Sequence, residues 1–475
     1  MITTTVRTRI LPNRYADSVS LMAASQELAA LPGVAQAMIT MGTPLNKEQL
    51  ERVGLLTPEA AAAGPGDLII AVAGAGAEAA VARAEALLTP ARSGAAADTE
   101  APPRTIRTAV KATPDATVAL ISVPGAYAAL EARHALEAGL DVMLYSDNVP
   151  LEAEVALKQL AREKGLLLMG PDCGTAILDG VGLGFANAVR RGAIGIVAAS
   201  GTGAQEVACL VHQLGAGISQ IIGTGGRDLT AAVGGLMTLE GLRRLDADPA
   251  TDVIVLVSKT PDPGAAGRIQ TAPCRKPVVR CFLGGATSLD QAAAEAVAIA
   301  TGRNPGDCEA ALGYSHPLPV MPLRAGCRKV QGLFSGGTLC QQARQILTGA
   351  EHRLLDLGDD LYTVGRPHPM IDPTLRTQSL RAAAADPSTA VILIDVVLGH
   401  GAHPDPAGAL APAIREAVAQ GVPVAASVTG VAEDPQGLEV QVARLTEAGA
   451  RVFPTARLAA LAVAAALASE GGCRR

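Results

Sequence analysis

Short apolar runs alternate with amphipathic runs along almost the whole chain, and that alternation restricts it to α/β folds on mostly parallel sheets. A parallel pair of strands needs a crossover, so each strand is followed by a helix that packs back on the sheet. Two crossovers open on nearly the same turn. Residues 194–206 read as a strand, then Ser200-Gly201-Thr202-Gly203, then a helix with Val207, Leu210 and Val211 at helical spacing. Residues 330–339 repeat the pattern with Ser335-Gly336-Gly337-Thr338 between strand and helix. The first N–H groups of such a helix lack internal partners and sit at the positive end of its dipole, so each turn suits an anion. The Ser and Thr hydroxyls add donors. A plain packing turn is the alternative for either one alone. Facing each other across a domain boundary, the two would clamp a doubly charged group such as phosphate. The sequence leaves their relative placement open.

At 475 residues the chain exceeds what one core supports, so several domains are expected. It has no Trp, 2% aromatic residues, a net charge of −6 and no dense Lys/Arg run. Base-stacking platforms and a phosphate-backbone footprint are thereby disfavoured, and no nucleic-acid partner is expected. No membrane span is expected, because no uninterrupted apolar stretch of about 18 residues occurs. Thr3, Thr4, Thr5, Arg7 and Arg9 break any signal-peptide pattern. The eight cysteines form no C-x-x-C pair, which points to reduced thiols and a cytoplasmic location.

Residues 1–90 predict strands over 3–10, 34–41 and 67–73 and helices over 17–31, 46–53 and 77–88, a small α/β sandwich of ferredoxin-like type. Residues 91–105 are small, polar and Pro-rich and read as a linker. In 106–187, strands over 117–123, 141–146 and 166–169 alternate with helices over 127–139 and 151–165, a doubly wound Rossmann-like unit. Ligands of such sheets bind beyond the carboxyl ends of the strands. Three turns fall there, with Ser122 and Pro124 in the first, Ser146 and Asn148 in the second, and Pro171, Asp172 and Cys173 in the third. No G-x-G-x-x-G follows the first strand, which argues against NAD. Cys173 reads as a nucleophile or as a small packed residue, and the absence of a nearby His favours the second.

Residues 188–302 form the next α/β unit, with strands over 218–222, 251–258 and 277–282. Its turn 223–228 carries Arg227, either a bidentate anion binder or the partner of Asp228. Residues 303–327 are Pro- and Gly-rich and read as a second linker. Residues 328–475 predict strands over 329–334, 390–397, 423–428 and 450–453 and a closing helix over 457–469. A long charged, Pro-rich excursion over 356–373 contains Arg366 and His368, the residues to test there. His400 and His403 suggest a metal, but no further ligands stand near them in sequence, so no metal site is expected.

The strand-end segments Ser122-Val123-Pro124, Met169-Gly170-Pro171-Asp172-Cys173 and Ser200-Gly201-Thr202 stand in the order of those in the alpha subunit of succinyl-CoA synthetase, which residues 106–302 resemble. Residues 328–475 resemble the C-terminal domain of its beta subunit. The resemblance implies a CoA-binding-type domain, two flavodoxin-like ligase domains, and one phosphate site approached by both helices. Two departures stand out. The ATP-grasp half of the beta subunit has no counterpart. The loop after 277–282 reads Leu283-Gly284-Gly285-Ala286-Thr287-Ser288, without the phosphohistidine of that family.

Nearly the whole chain is similar to the FdrA family, on residues 17–22, 41–44 with 46–47, 162–167, 169–175, 225–229 and 356–376. One branch of that family is the large component of oxamate carbamoyltransferase in allantoin catabolism. It works with other subunits and beside a carbamate kinase. The resemblance implies carbamoyl phosphate or phosphate between residues 200–203 and 335–338. A small amide or carboxylate substrate would lie beside Arg366, His368 and Arg227, acting as anion binders or proton donors. The alternatives are an acyl-CoA synthetase with CoA on the 106–187 sheet and a non-enzymatic scaffold that senses phosphate or CoA.

Overall fold

The computed structural model describes residues 6–14, 18–29, 31–88, 103–314, 320–363 and 367–472. The N-terminal unit runs β1 (Val6–Leu11), α1 (Ser18–Ala29), β2 (Gln36–Met41), α2 (Pro44–Arg52), α3 (Pro58–Ala62), β3 (Leu68–Ala73) and α4 (Ala77–Leu88). Its three strands are antiparallel in the order β1-β3-β2. Successive side chains of a strand point to opposite faces. Leu68, Ile70 and Val72 of the central strand therefore join Leu28, Ala80 and Ala84 in one core, while Ile69 and Ala71 join Leu50 and Leu55 in another. The turn before α2 has a capping role, since the Thr43 hydroxyl accepts from Asn46 N and Pro44 opens the helix.

Residues 103–363 and 368–475 form the second unit. It starts with α5 (Ile106–Ala112), capped by Thr105 at the end of the expected linker, whose residues 91–102 lie outside the described ones. A parallel sheet in the order β4-β5-β6 follows, built from β4 (Val118–Ile121), α6 (Gly125–Glu137), β5 (Asp141–Leu144), α7 (Leu151–Lys164) and β6 (Leu168–Met169).

The next sheet has six strands in the order β12-β11-β9-β10-β7-β8. Its elements are β7 (Thr175–Leu178), β8 (Val181–Gly184), β9 (Arg191–Ala198), α8 (Gly201–Gln213), β10 (Ile218–Gly223), α9 (Leu236–Ala247), β11 (Val253–Ser258), α10 (Pro263–Thr271), β12 (Val278–Phe282) and α11 (Leu289–Thr301). The hairpin β7–β8 precedes the expected boundary at 187/188 yet pairs with β10. The stretch expected as a second linker is partly helical, with α12 (Pro305–Glu309) and a π-type turn Ala310–Tyr314.

A five-stranded parallel sheet closes the unit in the order β14-β13-β15-β16-β17. It is made of β13 (Lys329–Phe334), α13 (Gly337–Ile346), β14 (His352–Asp356), α14 (Asp360–Thr363), α15 (Thr374–Ala385), β15 (Thr389–Val397), α16 (Pro406–Ala419), β16 (Val424–Thr429), α17 (Leu438–Glu447), β17 (Arg451–Phe453) and α18 (Ala456–Gly472). One hydrophobic core runs through both large sheets, from Ile196 and Val257 to Phe334 and Val391, with Ala459 and Val463 of α18. Helix α8 is buried on every side from Gly203 to His212, as a helix between two sheets must be. Its polar side chains are satisfied within the buried interface. Gln205 Nε2 donates to Asn187 Oδ1 at 3.0 Å, and Asn187 Nδ2 donates to Asp434 Oδ2 at 2.8 Å.

Candidate functional site

The two Ser-Gly turns meet. Ser200 caps α8 by accepting from Gly203 N at 3.1 Å, and its hydroxyl also shares a hydrogen bond with the Thr338 hydroxyl in the first turn of α13. The backbones approach closely because both turns carry glycines. A β-carbon at Gly336 would stand 2.9 Å from Thr202 Oγ1, and one at Gly203 would stand 3.1 Å from Thr338 Cγ2. Two positive helix ends therefore face each other, an arrangement that calls for negative charge.

Part of that charge comes from the chain. The Asp395 carboxylate, fully buried, accepts from Ser335 N and Gly336 N at 2.8 Å each and from the Ser335 hydroxyl at 3.1 Å. Ser335 and Gly336 therefore have these donors committed within the protein. Arg376, 3% exposed, ion-pairs with Asp395 at 3.0 Å and donates to Leu333 O. Asp356 lies against Gly337. Burial pushes its carboxyl up to about 6, against the pull of the Gly358 N–H and Lys259. The first-turn N–H groups of Gly201, Thr202, Gly337 and Thr338 lie outside the helical hydrogen-bond ladder, as at any helix start.

His368 stands beside this turn. Its ring packs on Phe185 with centroids 5.4 Å apart, and its Nδ1 accepts from Met370 N at 3.2 Å. A side chain at Gly358 would meet His368 Nε2 at 2.6 Å and Ser335 O at 2.7 Å, so this glycine lets the ring reach the turn. Burial first, then Arg376, push the imidazole down to about 4. His368 is thus a neutral ring near pH 7, with its proton on Nε2 by inference from the Nδ1 bond. Arg366 lies outside the described residues.

The three strand-end turns of the first parallel sheet come together. Tyr145 N donates to Ile121 O at 2.9 Å and Asp172 N donates to Ser146 O at 3.0 Å, which ties the ends of β4, β5 and β6. Gly125 lies against the Asp147 and Asn148 carbonyls, where only a glycine fits. Ser122, Pro124, Asn148 and Asp172 are exposed on this rim, while Ser146 and Pro171 are buried beneath it. Helices α6 and α7 both start after a proline and have no side-chain cap, so their first N–H groups face whatever lies beyond the strands. Cys173 points the other way. Its Sγ lies 3.5 Å from Thr175 O and Gly223 O, and burial pushes the thiol up to about 12, which makes it a packed residue and not a rim ligand.

Arg227 sits elsewhere, on the interface between α7 and the loop before α9. It ion-pairs with Glu154 at 2.8 Å and donates to Val149 O, whereas the expected partner, Asp228, is taken by Lys158 at 2.9 Å. Lys158 also meets Glu154 at 2.8 Å, and Lys158, Glu154 and Asp228 are all fully buried. This network fastens the first parallel sheet to the second. His403 Nδ1 accepts from Asp405 N at 3.0 Å, and His400 is exposed beside Ala186.

Sequence reasoning passed over Asp395, Asp356 and Arg376. The signal for Asp395 was present, since a lone carboxylate inside the apolar run of β15 needs partners.

Two families match the sequence. One, described as CoA-ligase, matches residues 333–466. The other, described as AllF, heavy metal-associated domain, matches residues 4–103. That segment contains neither Cys nor His, so it offers no thiolate or imidazole donor. Over 496 residues the chain is 44% identical to "Uncharacterized protein YahF" of Escherichia coli (strain K12), covering 94% of this chain and 95% of that protein. The chain belongs to the YahF family. This YahF-family chain is also 34% identical over 184 residues to the ADP-forming succinate–CoA ligase subunit alpha-2 of Trichomonas vaginalis, covering 37% of this chain and 58% of that one. The chain is thus similar to a succinate–CoA ligase alpha subunit over part of its length and to the CoA-ligase family over residues 333–466. Among solved structures, the dinucleotide-forming acetyl-coenzyme A synthetase 1 of Ca. Korarchaeum cryptofilum, in complex with phosphate and ADP, is 20% identical. It covers 75% of this chain and 83% of that chain at a TM-score of 0.26.

Proposed function

We propose that the chain is an acyl-CoA ligase-type component that brings CoA and a phosphate-bearing acyl group together. The observation that supports this most is the direct meeting of the α8 and α13 N-termini. CoA lies beyond β4, β5 and β6, its phosphates at the uncapped starts of α6 and α7 and its polar groups on Ser122, Asn148 and Asp172. The phosphate of the acyl donor is held by the N–H groups of Gly201, Thr202, Gly337 and Thr338. These donors stabilise charge on the phosphate as the CoA sulfur attacks the acyl carbon, the carbon–oxygen bond to phosphate breaks, and the thiol proton leaves on the departing phosphate. Neutral His368 stands beside the turn and offers its Nε2–H as a hydrogen-bond donor. Nucleotide, where the full reaction uses it, is handled by a partner subunit.

A second reading, carbamoyl transfer of the oxamate type by an FdrA-like large component, has one observation in its favour. The loop 283–288 has no His, so a phosphoryl relay through that loop cannot run. A carbamoyl phosphate bound at the same helix ends needs no relay.

Calorimetric titration of the full chain with CoA tests the first reading, with Ser122→Trp as the variant. Ser122 is exposed, so the indole blocks the rim without entering the core. Saturable binding in the wild type, lost in the variant at unchanged melting temperature, is the expected outcome. No CoA binding to the wild type, together with stabilisation by carbamoyl phosphate, would replace it with the second reading.

A further inference from the structure

A separate cleft of about 160 Å³ opens further along α13, between that helix, the loop after β12 and the starts of α11 and α18. Residues 283–288 line it together with Gln291, Gln342, Gln345, Ile346 and Arg457. Arg457 is the one charged side chain in this lining, with the buried Asp290 carboxyl nearby. Its guanidinium stacks over the Tyr314 ring, 5.2 Å from the centroid, which fixes its direction. It has no salt-bridge partner among the described residues. Asp290 is close enough for Arg457 to draw its carboxyl down, but burial pushes that carboxyl up more strongly, and Asp290 is not part of the lining.

The amides supply the second observation. Gln342 is 5% exposed and its Nε2 has no hydrogen-bond partner. No protein group claims this donor, so it is available to an acceptor that enters the cleft. Gln345 Nε2 lies beside Gly284, where a β-carbon would stand 3.2 Å away, and Gly284 adopts φ +89°. A glycine there keeps the mouth of the cleft open. The Gln291 side-chain oxygen is engaged, because it accepts from Ser288 N and the Ser288 hydroxyl. The volume is below the roughly 300 Å³ at which drug-sized ligands begin, yet far above the roughly 15 Å³ that one water needs. A short acid fits, and CoA or a nucleotide does not.

We propose that this cleft binds a small carboxylate, with Arg457 facing its charge and the Gln342 and Gln345 amides donating to its oxygens. The site is independent of the CoA reading, and its test uses no CoA. Succinate, oxalate and acetate, with inorganic phosphate as comparison, are titrated into the full chain and followed by calorimetry and melting temperature. At least one carboxylate is expected to bind saturably and to raise the melting temperature. Arg457→Gln is expected to weaken that carboxylate tenfold or more. Gln342→Leu removes the unpaired donor without opening a hole, so its ligand-free melting temperature stays at or above that of the wild type while carboxylate affinity falls at least threefold. Failure of all three carboxylates to bind the wild type overturns the proposal. So does equal binding to the wild type and Arg457→Gln, or inorganic phosphate matching the best carboxylate with the same dependence on Arg457.

Discussion

Ser200 and Thr338 stand 138 residues apart in the chain and share a hydrogen bond through their hydroxyls. The contact joins the first turns of two helices that belong to different sheets. It sets two positive helix ends against each other, with the buried Asp395 carboxylate holding one of the turns and Asp356 beside it.

The hydroxyl pair couples the two sheets energetically. A double-mutant cycle of Ser200→Ala and Thr338→Val, read by urea denaturation, is expected to give a coupling of about 0.5–1.5 kcal/mol. Ser200→Ala alone costs about 1 kcal/mol more, because it also uncaps α8.

Asp395 holds the 335–338 turn in shape. Asp395→Ala leaves Arg376 as an unpaired buried cation and is expected to cost about 3–5 kcal/mol of stability by chemical denaturation. Adding Arg376→Met removes the stranded charge, so the double variant is more stable than Asp395→Ala alone.

Much of this architecture is readable without coordinates. Helix α4 and strand β13 fall on the stretches 77–88 and 329–334 that the pattern predicts, because their apolar spacing is uninterrupted. The hairpin β7–β8 was passed over because each strand has four residues, although Asp179-Gly180 between them is a strong hairpin signal and both residues take positive φ. The Ser-Gly turns were legible as helix starts from their local sequence. Their meeting was not, since it depends on how α8 and α13 pack across a shared core. Local sequence likewise could not show that Asp395 would occupy the Ser335 and Gly336 donors, or that Lys158 would claim Asp228 and leave Arg227 to Glu154.

Burial makes Glu206 a pH-dependent liability. Its carboxyl is pushed from 4.5 up to about 7, mainly by desolvation, against the pull of the Thr429 hydroxyl. In this interval the folded state holds a proton that the unfolded state has released, so the contribution of this residue to stability falls as pH rises from about 4.5 to about 7 and is level above. Glu206→Gln stays neutral and is expected to remove that decline, gaining on the order of 3 kcal/mol relative to the wild type at pH 8 but not at pH 4. Denaturation midpoints of both proteins across that range check it.

Cys173 is inert in the folded chain. With its thiol raised to about 12 and 3% exposed, it is expected to resist a thiol reagent at pH 8 until denaturant is added, as peptide mapping after labelling will reveal.

The joined helix ends are tested most directly by the melting temperature of the full chain across an inorganic phosphate titration at constant ionic strength, wild type against Gly336→Val. A side chain at Gly336 presses on Thr202 from 2.9 Å and parts the two turns. A saturable rise in the wild type that disappears in the variant is the predicted result. An equal rise in both proteins, or none in the wild type, contradicts an anion site at the meeting point of α8 and α13.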